Sequence, residues 1–402
     1  MKPPVVPKGF ALPGAELLEL GFKNAAESAK KSSAMPEKPL LRPIPPRAVR
    51  ELEERGHWGT PEHREALRKA ADALKMYVEG KAYCNDRDEL APEYWPHLQE
   101  RICYRMEREI LAGGSKGAAK TVGGMIWIAS GNPLEPAYDA HGKLIACNTS
   151  YFYHPEFTGL VLRKNVEDLN EWVRTSLRFY GPAFGAEWRG GEGRAGFMKF
   201  PSGAVVRVGH LEDPRSYEKY FGKPIHRLII EELIQINPDL YMQLVGCVRS
   251  TFSEIRAQIL ATTNPIGGPF VQDVFDRFIE PKMMDARGRK VPILDDGGVP
   301  LSAFRHDGIT PVYPEVTIKE PIDPKIYERL GLEIPAEPYS TRCFIPGRIS
   351  DNPHLLHDTG YIAALATMDE KEREGQLMGM WNVAGGSMFK EFRARGPLPG
   401  EP

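Results

Sequence analysis

Long apolar runs are missing from this chain. Met125-Ile-Trp-Ile-Ala129 is the kind of short run found instead, far below the roughly 20 residues that a membrane-crossing helix needs. The opening Met1-Lys-Pro-Pro-Val-Val-Pro-Lys8 has no apolar core of the kind an export signal carries. Cysteine is sparse. Five residues, Cys84, Cys103, Cys147, Cys247 and Cys343, lie far apart, and none forms a CxxC or CxxH pair, so free thiols in a reducing compartment are expected. Charge of one sign is not in surplus either: the net charge is −2. A chain that binds nucleic acid through overall basicity is excluded, and any DNA contact must come from a local patch or from an assembly. A soluble, cytoplasmic protein without membrane attachment is the expectation. With 402 residues, 42% hydrophobic and 26% charged, there is material for a large α/β domain and a smaller one.

Residues 1–46 are rich in Pro, Ala and Lys and read as a flexible arm with one short apolar helix near Ala15-Glu-Leu-Leu-Glu-Leu20. Residues 47–93 read as helical. Thr60 can cap a helix that Pro61 opens, and Leu67, Ala71, Leu74 and Val78 keep one apolar face. Residues 94–280 alternate short apolar strands with helices. The strand candidates are Leu160–Leu162, Ala204–Val208, Arg227–Ile230 and Gln258–Ala261. Their continuous apolar character predicts strands covered on both faces, hence a mainly parallel sheet with helices on each side. Residues 281–345 are dense in Pro, Gly and Asp and read as an elaborated loop region. From His354 to Gly379 helix returns, within a closing segment 346–402.

Three segments carry chemistry. Gly114-Ser-Lys-Gly-Ala-Ala-Lys-Thr121 is a glycine-rich loop ending in Lys-Thr. Small residues let backbone N–H groups wrap a phosphate, the lysine adds charge, and the hydroxyl reaches Mg²⁺. Gly114, Gly117, Ala119, Lys120 and Thr121 are the nucleotide-binding candidates, with Lys116 as an extra cation. Ala119 stands where glycine is usual, which predicts a negative φ there. The loop alone fits a plain glycine-rich turn equally well. The second segment, His226-Arg-Leu-Ile-Ile-Glu-Glu-Leu233, delivers two carboxylates to a strand end. Glu231 suits a metal held through water, and Glu232 suits a base for an attacking water. The third, Gln258-Ile-Leu-Ala-Thr-Thr-Asn-Pro265, ends in Thr262, Thr263 and Asn264, which can contact a terminal phosphate and report its loss. Upstream, Gln99 after Tyr94-Trp95-Pro96 is a candidate for reading the adenine edge; an aromatic cluster with an incidental glutamine fits as well.

Loop, acidic strand end and polar strand end, in that order, are the parts of an ATP-hydrolysing motor. From about Tyr94 to Phe392 the chain resembles the large terminase subunit of tailed bacteriophages. Leu162-Arg163-Lys164 is similar to that family's strand-end arginine segment, and Phe200-Pro-Ser-Gly-Ala-Val-Val-Arg-Val208 to the strand before its acidic motif. Ile230-Glu-Glu-Leu-Ile-Gln235 with Leu244 and Arg249 resembles the acidic motif itself, and Ala261-Thr-Thr-Asn-Pro265 the coupling motif. Asp351-Asn-Pro353, Tyr361, Gly379-Met-Trp381, Gly386 and Phe389 look like the segment that joins ATPase to nuclease. The resemblance implies an additional-strand, RecA-like P-loop NTPase using ATP and Mg²⁺, with a small helical lid expected from 47–93 and 346–402, the latter also expected to be a linker toward a nuclease domain absent here. It implies a ring, commonly pentameric, docked on the portal protein of a procapsid in the host cytoplasm. It also implies double-stranded viral DNA as cargo and a small terminase subunit as partner. Arg163 and Lys116 occupy the positions where the family places charge stabilisation between subunits.

Beyond Tyr339 the only aspartates are Asp351, Asp358 and Asp369, so no nuclease activity is expected of this chain. Arg189, Arg194 and Lys199 form a local basic stretch that can touch a nucleic-acid backbone or stand as a solvated loop. Two other functions remain open at this stage. One is a nucleotide-binding structural half of a split terminase with little turnover. The other is a helicase-like DNA remodeller, which needs a second motor lobe.

Overall fold

The computed structural model describes residues 98–381, together with 60–62 and 65. Within that range residues 104, 132–136, 139–143, 147–149, 166, 192–194, 213, 221, 266–269, 306–310, 313–314, 337, 350–351, 353–354 and 356–358 are not described. The expected N-terminal arm, most of the helix after Thr60, the aromatics Tyr94 and Trp95, and everything past Trp381 lie outside the described residues.

Helix α1 (Leu98–Cys103) leads into β1 (Glu109–Gly114) and α2 (Lys120–Ala129). A small ribbon of β2 (Ala137–Tyr138) and β3 (Leu144–Ala146) precedes β4 (Thr158–Arg163) and α3 (Asn170–Phe184). Then follow β5 (Glu187–Arg189), β6 (Gly196–Lys199), β7 (Val205–His210), α4 (Pro214–Glu218), β8 (Arg227–Ile230), α5 (Pro238–Cys247), β9 (Gln258–Thr263) and α6 (Val271–Val274). The last third holds β10 (Lys282–Met284), β11 (Lys290–Pro292), β12 (Thr317–Pro321), α7 (Pro324–Leu330), β13 (Tyr339–Gly347), α8 (Thr359–Ala366) and α9 (Glu370–Gln376).

Nine strands form one sheet in the order β12-β13-β1-β9-β8-β4-β7-β6-β5. The six from β13 to β7 are parallel, and the edges are finished by antiparallel β12 on one side and β6 and β5 on the other. The strand that carries Thr262 and Thr263, β9, therefore sits between the loop strand β1 and the acidic strand β8. That inserted strand is the mark of an additional-strand, RecA-like α/β fold, as expected.

Alternation along each strand sorts the core into two halves. Ile110, Ala112, Val161, Ile229, Leu260 and Ile345 meet Trp127, Ile128 and Tyr180 from α2 and α3. Leu111, Leu160, Leu228, Ile230, Ile259 and Phe344 meet Leu240, Tyr241 and Leu244 from α5. Every residue of β1, β8 and β9 is buried, which is why these strands carry unbroken apolar runs. All parallel strands end at the same edge, and that edge is where the turns after β1, β8 and β9 meet.

The stretch 281–345 is not only loops. It forms the hairpin of β10 and β11, and it also supplies β12 and most of β13. β13 pairs in parallel with β1 from Glu109↔Arg342 to Gly114↔Gly347, so a central strand lies where composition predicted irregular chain. The helical return after His354 is observed as α8 and α9.

Candidate nucleotide site

The loop after β1 opens with Gly114 at φ 137 and turns again at Gly117, φ 78. Neither value suits a side chain. Ala119 follows at φ 63, ψ 28 and caps α2 without offering a side-chain acceptor. The expectation of a negative φ at Ala119 is thus overturned. The chain turns into the helix through a left-handed residue, and alanine occupies it at a cost of about 1–2 kcal/mol. Among the described residues no acceptor is found for the backbone N–H groups of Gly117 to Val122. These amides, at the start of an uncapped ten-residue helix, make an anion-binding concavity.

Lys120 and Thr121 begin α2 and face the ends of β8 and β9. The Lys120 ammonium is buried and donates to the Ser115 carbonyl and to Asn264 Oδ1, both at 2.8 Å. Thr121 Oγ1 donates to Glu231 Oε2 at 3.1 Å. Asn264 Nδ2 donates to Glu232 at 3.0 Å (Oε1) and 3.4 Å (Oε2). Thus the loop and the start of α2 reach both strand ends, through Lys120–Asn264–Glu232 and, separately, through Thr121–Glu231.

Glu231 and Glu232 are adjacent yet reach different partners. Glu232 sits at φ 56, ψ 53, and this left-handed turn sends its carboxylate to Asn264 while Glu231 stays against Thr121. Ala119 and Glu232 are the only non-glycine residues with positive φ among the described residues. Both flank this site.

Burial leaves the site electrically unfinished. The Glu231 carboxyl is pushed up to about 7, chiefly by burial; the Thr121 hydrogen bond opposes this, Glu232 adds to it, and Arg163 and Lys120 oppose it. The Lys120 ammonium is pulled down to about 8 by burial, against the attraction of Glu232 and Glu231. Glu231 Oε1 is buried without a hydrogen-bond partner. An orphaned carboxylate oxygen beside a hydroxyl is a hard oxygen donor set, which fits Mg²⁺. Among the described residues no cluster of three or more His, Cys, Asp or Glu could hold a metal. Mg²⁺ here would rest on one carboxylate, the hydroxyl, water and phosphate oxygens, its usual mode.

Of the three coupling candidates only Asn264 bonds into the site. Thr262 and Thr263 are buried strand residues beside Ala112 and Gly113 of β1, and the Thr263 hydroxyl turns back to the Asn264 carbonyl at 3.2 Å. Arg163 ends β4, in the register next to β8, and its charge acts on Glu231 of its own chain. Its guanidinium also donates to the Asp168 carbonyl at 3.2 Å. Lys116 is half-buried in the loop, with its backbone N–H bound to the Gln376 carbonyl at 2.7 Å. Gln99 lies in α1; its side chain is outside the described residues. Arg189 pairs with Glu187 at 2.6 Å, and Lys199 lies opposite Glu187 in register, so the basic stretch is partly neutralised. Arg194 is outside the described residues.

The bracing of the site is what sequence reasoning missed, although Asn352, Tyr361, Gly379 and Trp381 lie in the segment named above as a junction. Ser115 N–H binds the Gly347 carbonyl at 2.9 Å, and Asn352 Nδ2 donates to the Gly117 carbonyl at 2.6 Å. Tyr361 and Leu355 lie against Gly117, Gly379 against Ser115, and Trp381 against Gly113 and Phe344. The segment singled out as a junction therefore braces the loop from behind. At the opposite sheet edge a fully buried Arg227 donates to the carbonyls of Trp127 and Gly131 and to Gln258, with the Trp127 and Tyr151 rings 4.4 and 4.7 Å away. A buried Glu109 takes bonds from Arg277 and from Tyr241 at 2.6 Å.

No family model and no curated protein matches the chain. Solved structures do. The large terminase from a thermophilic bacteriophage, in complex with ADP, is similar at 11% identity and TM-score 0.40, over 71% of this chain and 53% of that one. The large terminase ATPase domain of Thermus phage P74-26 is similar at 13% identity and TM-score 0.38, over 71% and 93%. The N-terminal domain of the DNA packaging ATPase of bacteriophage phi29 is similar at 10% identity and TM-score 0.28, over 46% and 84%. This chain spans about half the length of the ADP-bound terminase.

Proposed function

We propose that this chain is an ATP-hydrolysing subunit of a viral DNA-packaging motor, of the large terminase kind. The observation that carries the reading is the meeting, at one edge of an additional-strand sheet, of free loop amides, Lys120, the Thr121–Glu231 pair and the Asn264–Glu232 pair. The amides of Gly117 to Thr121 would hold the β-phosphate, and Lys120 would bridge to the γ-phosphate. Thr121 and Glu231 would hold Mg²⁺, which when bound neutralises charge developing on the phosphates. Glu232 would orient the attacking water and accept its proton. Arg163, at the strand end beside Glu231, would offset negative charge at the γ-phosphate, with Lys116 as a second cation on the loop.

Coupling to double-stranded DNA, docking of a pentameric ring on a portal, action at the procapsid in the host cytoplasm and pairing with a small terminase subunit rest on the motif resemblance. Among the described residues, those after 315 contribute β12 and β13 to the same sheet, which supports a single-core motor over a two-lobed helicase. The test is steady-state ATP turnover of the purified chain beside Glu232→Gln. A loss of about 3 kcal/mol or more in transition-state stabilisation, with nucleotide still bound, is expected. No turnover in either protein, with DNA and portal present, would favour the split-subunit reading.

A further inference from the structure

Asn264 holds two groups that the proposed reaction needs elsewhere. Its Oδ1 accepts from Lys120 Nζ at 2.8 Å, and its Nδ2 donates to both oxygens of Glu232. The amide orientation is fixed by chemistry: flipped, its NH₂ would face the ammonium and its oxygen the carboxylate. An ammonium has three N–H donors. One goes to the Ser115 carbonyl and one to Asn264, which leaves one. A diphosphate seated in the loop can take that remaining donor. A triphosphate needs two, one for each of its last phosphates; the Ser115 carbonyl belongs to a backbone that is pinned to Gly347, whereas Asn264 accepts through a side chain that can turn away, so the second is freed from Asn264.

We propose that Asn264 is a positioning residue that competes with the γ-phosphate for Lys120 and ties Glu232 down until the γ-phosphate wins. The proposal rests on the ATPase reading above. With the site empty, or holding a diphosphate, the Lys120–Asn264–Glu232 chain stays closed. A triphosphate displaces the Asn264 oxygen, the amide loses the contact that orients it, and Glu232 is released toward the water it is to activate. The device makes the base available only when there is a γ-phosphate to cleave.

This differs in sign from a direct contact between Asn264 and the γ-phosphate. If Asn264 competes, Asn264→Ala removes a bond that the triphosphate must break. Binding of ATPγS with Mg²⁺, measured by calorimetry, should tighten about three- to ten-fold while ADP changes little. Asn264→Asp keeps the acceptor for Lys120, strengthens it and adds repulsion, so ATPγS should weaken relative to ADP. Loss of packing alone would move both variants and both nucleotides in the same direction. Selective weakening of ATPγS in Asn264→Ala would overturn the competition. The tie to Glu232 is tested without nucleotide, by a urea-denaturation cycle of Asn264→Ala and Glu232→Ala. Non-additive effects are expected; additive ones would remove that half of the proposal. If wild-type protein binds neither ADP nor ATPγS, the ATPase reading and the competition fall together, and the cycle still decides on the tie.

Discussion

Replacing Ala119 by glycine isolates the strain in the loop. At φ 63 the Ala119 Cβ crowds the backbone, which costs about 1–2 kcal/mol relative to a residue free to turn left-handed. Glycine removes that cost but gains freedom in the unfolded chain, which costs about 0.4–1 kcal/mol. The Ala119 side chain makes no hydrogen bond, so nothing else is lost. Ala119→Gly is therefore expected to stabilise the nucleotide-free protein by about 0.5–1 kcal/mol. Ala119→Val, β-branched in the same conformation, should destabilise by roughly 2 kcal/mol or more. Urea denaturation of the three proteins, compared by midpoint at constant slope, is the assay. ADP affinity should be unchanged or improved in Ala119→Gly, since the loop amides keep their places. A destabilised glycine variant, or a valine variant equal to wild type, would refute a left-handed turn at 119 and with it the reading of the free amides.

Gly114→Ala should be far more damaging than any change at 119. Its φ is 137, and an added Cβ would run into the Gly347 carbonyl oxygen that accepts from Ser115. A loss of about 3 kcal/mol or more is expected on denaturation, with nucleotide binding abolished in calorimetry. Arg227→Met strips its donors from the Trp127 and Gly131 carbonyls and Gln258, and should cost about 3 kcal/mol or more by the same assay. It lies at the far sheet edge, so any folded fraction should bind ADP normally. For Asp276, burial raises the carboxyl, but Lys282 and Lys290, each at 2.8 Å, more than offset that and hold it below its ordinary 3.8. A depressed carboxyl stabilises the fold above the unfolded value and loses that contribution as pH falls through the folded one. Stability should therefore decline below about pH 4, measured by thermal melts, with a shallower decline in Asp276→Asn.

The sheet was legible wherever burial leaves an unbroken apolar run. Arg227–Ile230 was expected and found as written, and Leu160–Leu162, Ala204–Val208 and Gln258–Ala261 each fall within one or two residues of a strand. β13 was not legible. Tyr339-Ser-Thr-Arg342 is polar, and Pro346 argues against a central strand. The structure shows why the proline is tolerated: β12 pairs only as far as Cys343, so beyond it the outer side of β13 has no ladder to break. At the site, the meeting of Lys120, Thr121, Glu231, Glu232 and Asn264 was legible because each is a polar or charged residue closing an apolar strand or opening a helix, whereas the roles given to them stand as the proposal above. The bracing by Gly347, Gln376 and Gly379 was not, since these act through backbone groups that any sequence offers. Arg227 carried a readable signal, a charge opening an apolar run, and its burial under two aromatic rings is the answer to it.

The two strained residues, Ala119 and Glu232, have different standing. Backbone strain persists where surrounding structure over-determines it, and each of these turns would be easier for glycine. At 232 glycine would relieve the turn and delete the carboxylate that Asn264 holds. The turn is also what keeps two adjacent carboxylates at one strand end, since successive residues of an extended strand point to opposite faces. The strain at Glu232 thus has a chemical reason: one acid is placed against the Thr121 hydroxyl and the other against the coupling strand. At 119 no such reason exists, because a methyl group serves neither phosphate nor metal, and nothing in the structure explains why glycine is absent. If the site is a working one, relieving 119 should leave turnover intact, whereas the strain at 232 cannot be relieved by glycine without losing the carboxylate proposed as the base. A site held only for structure would have no use for the strained glutamate.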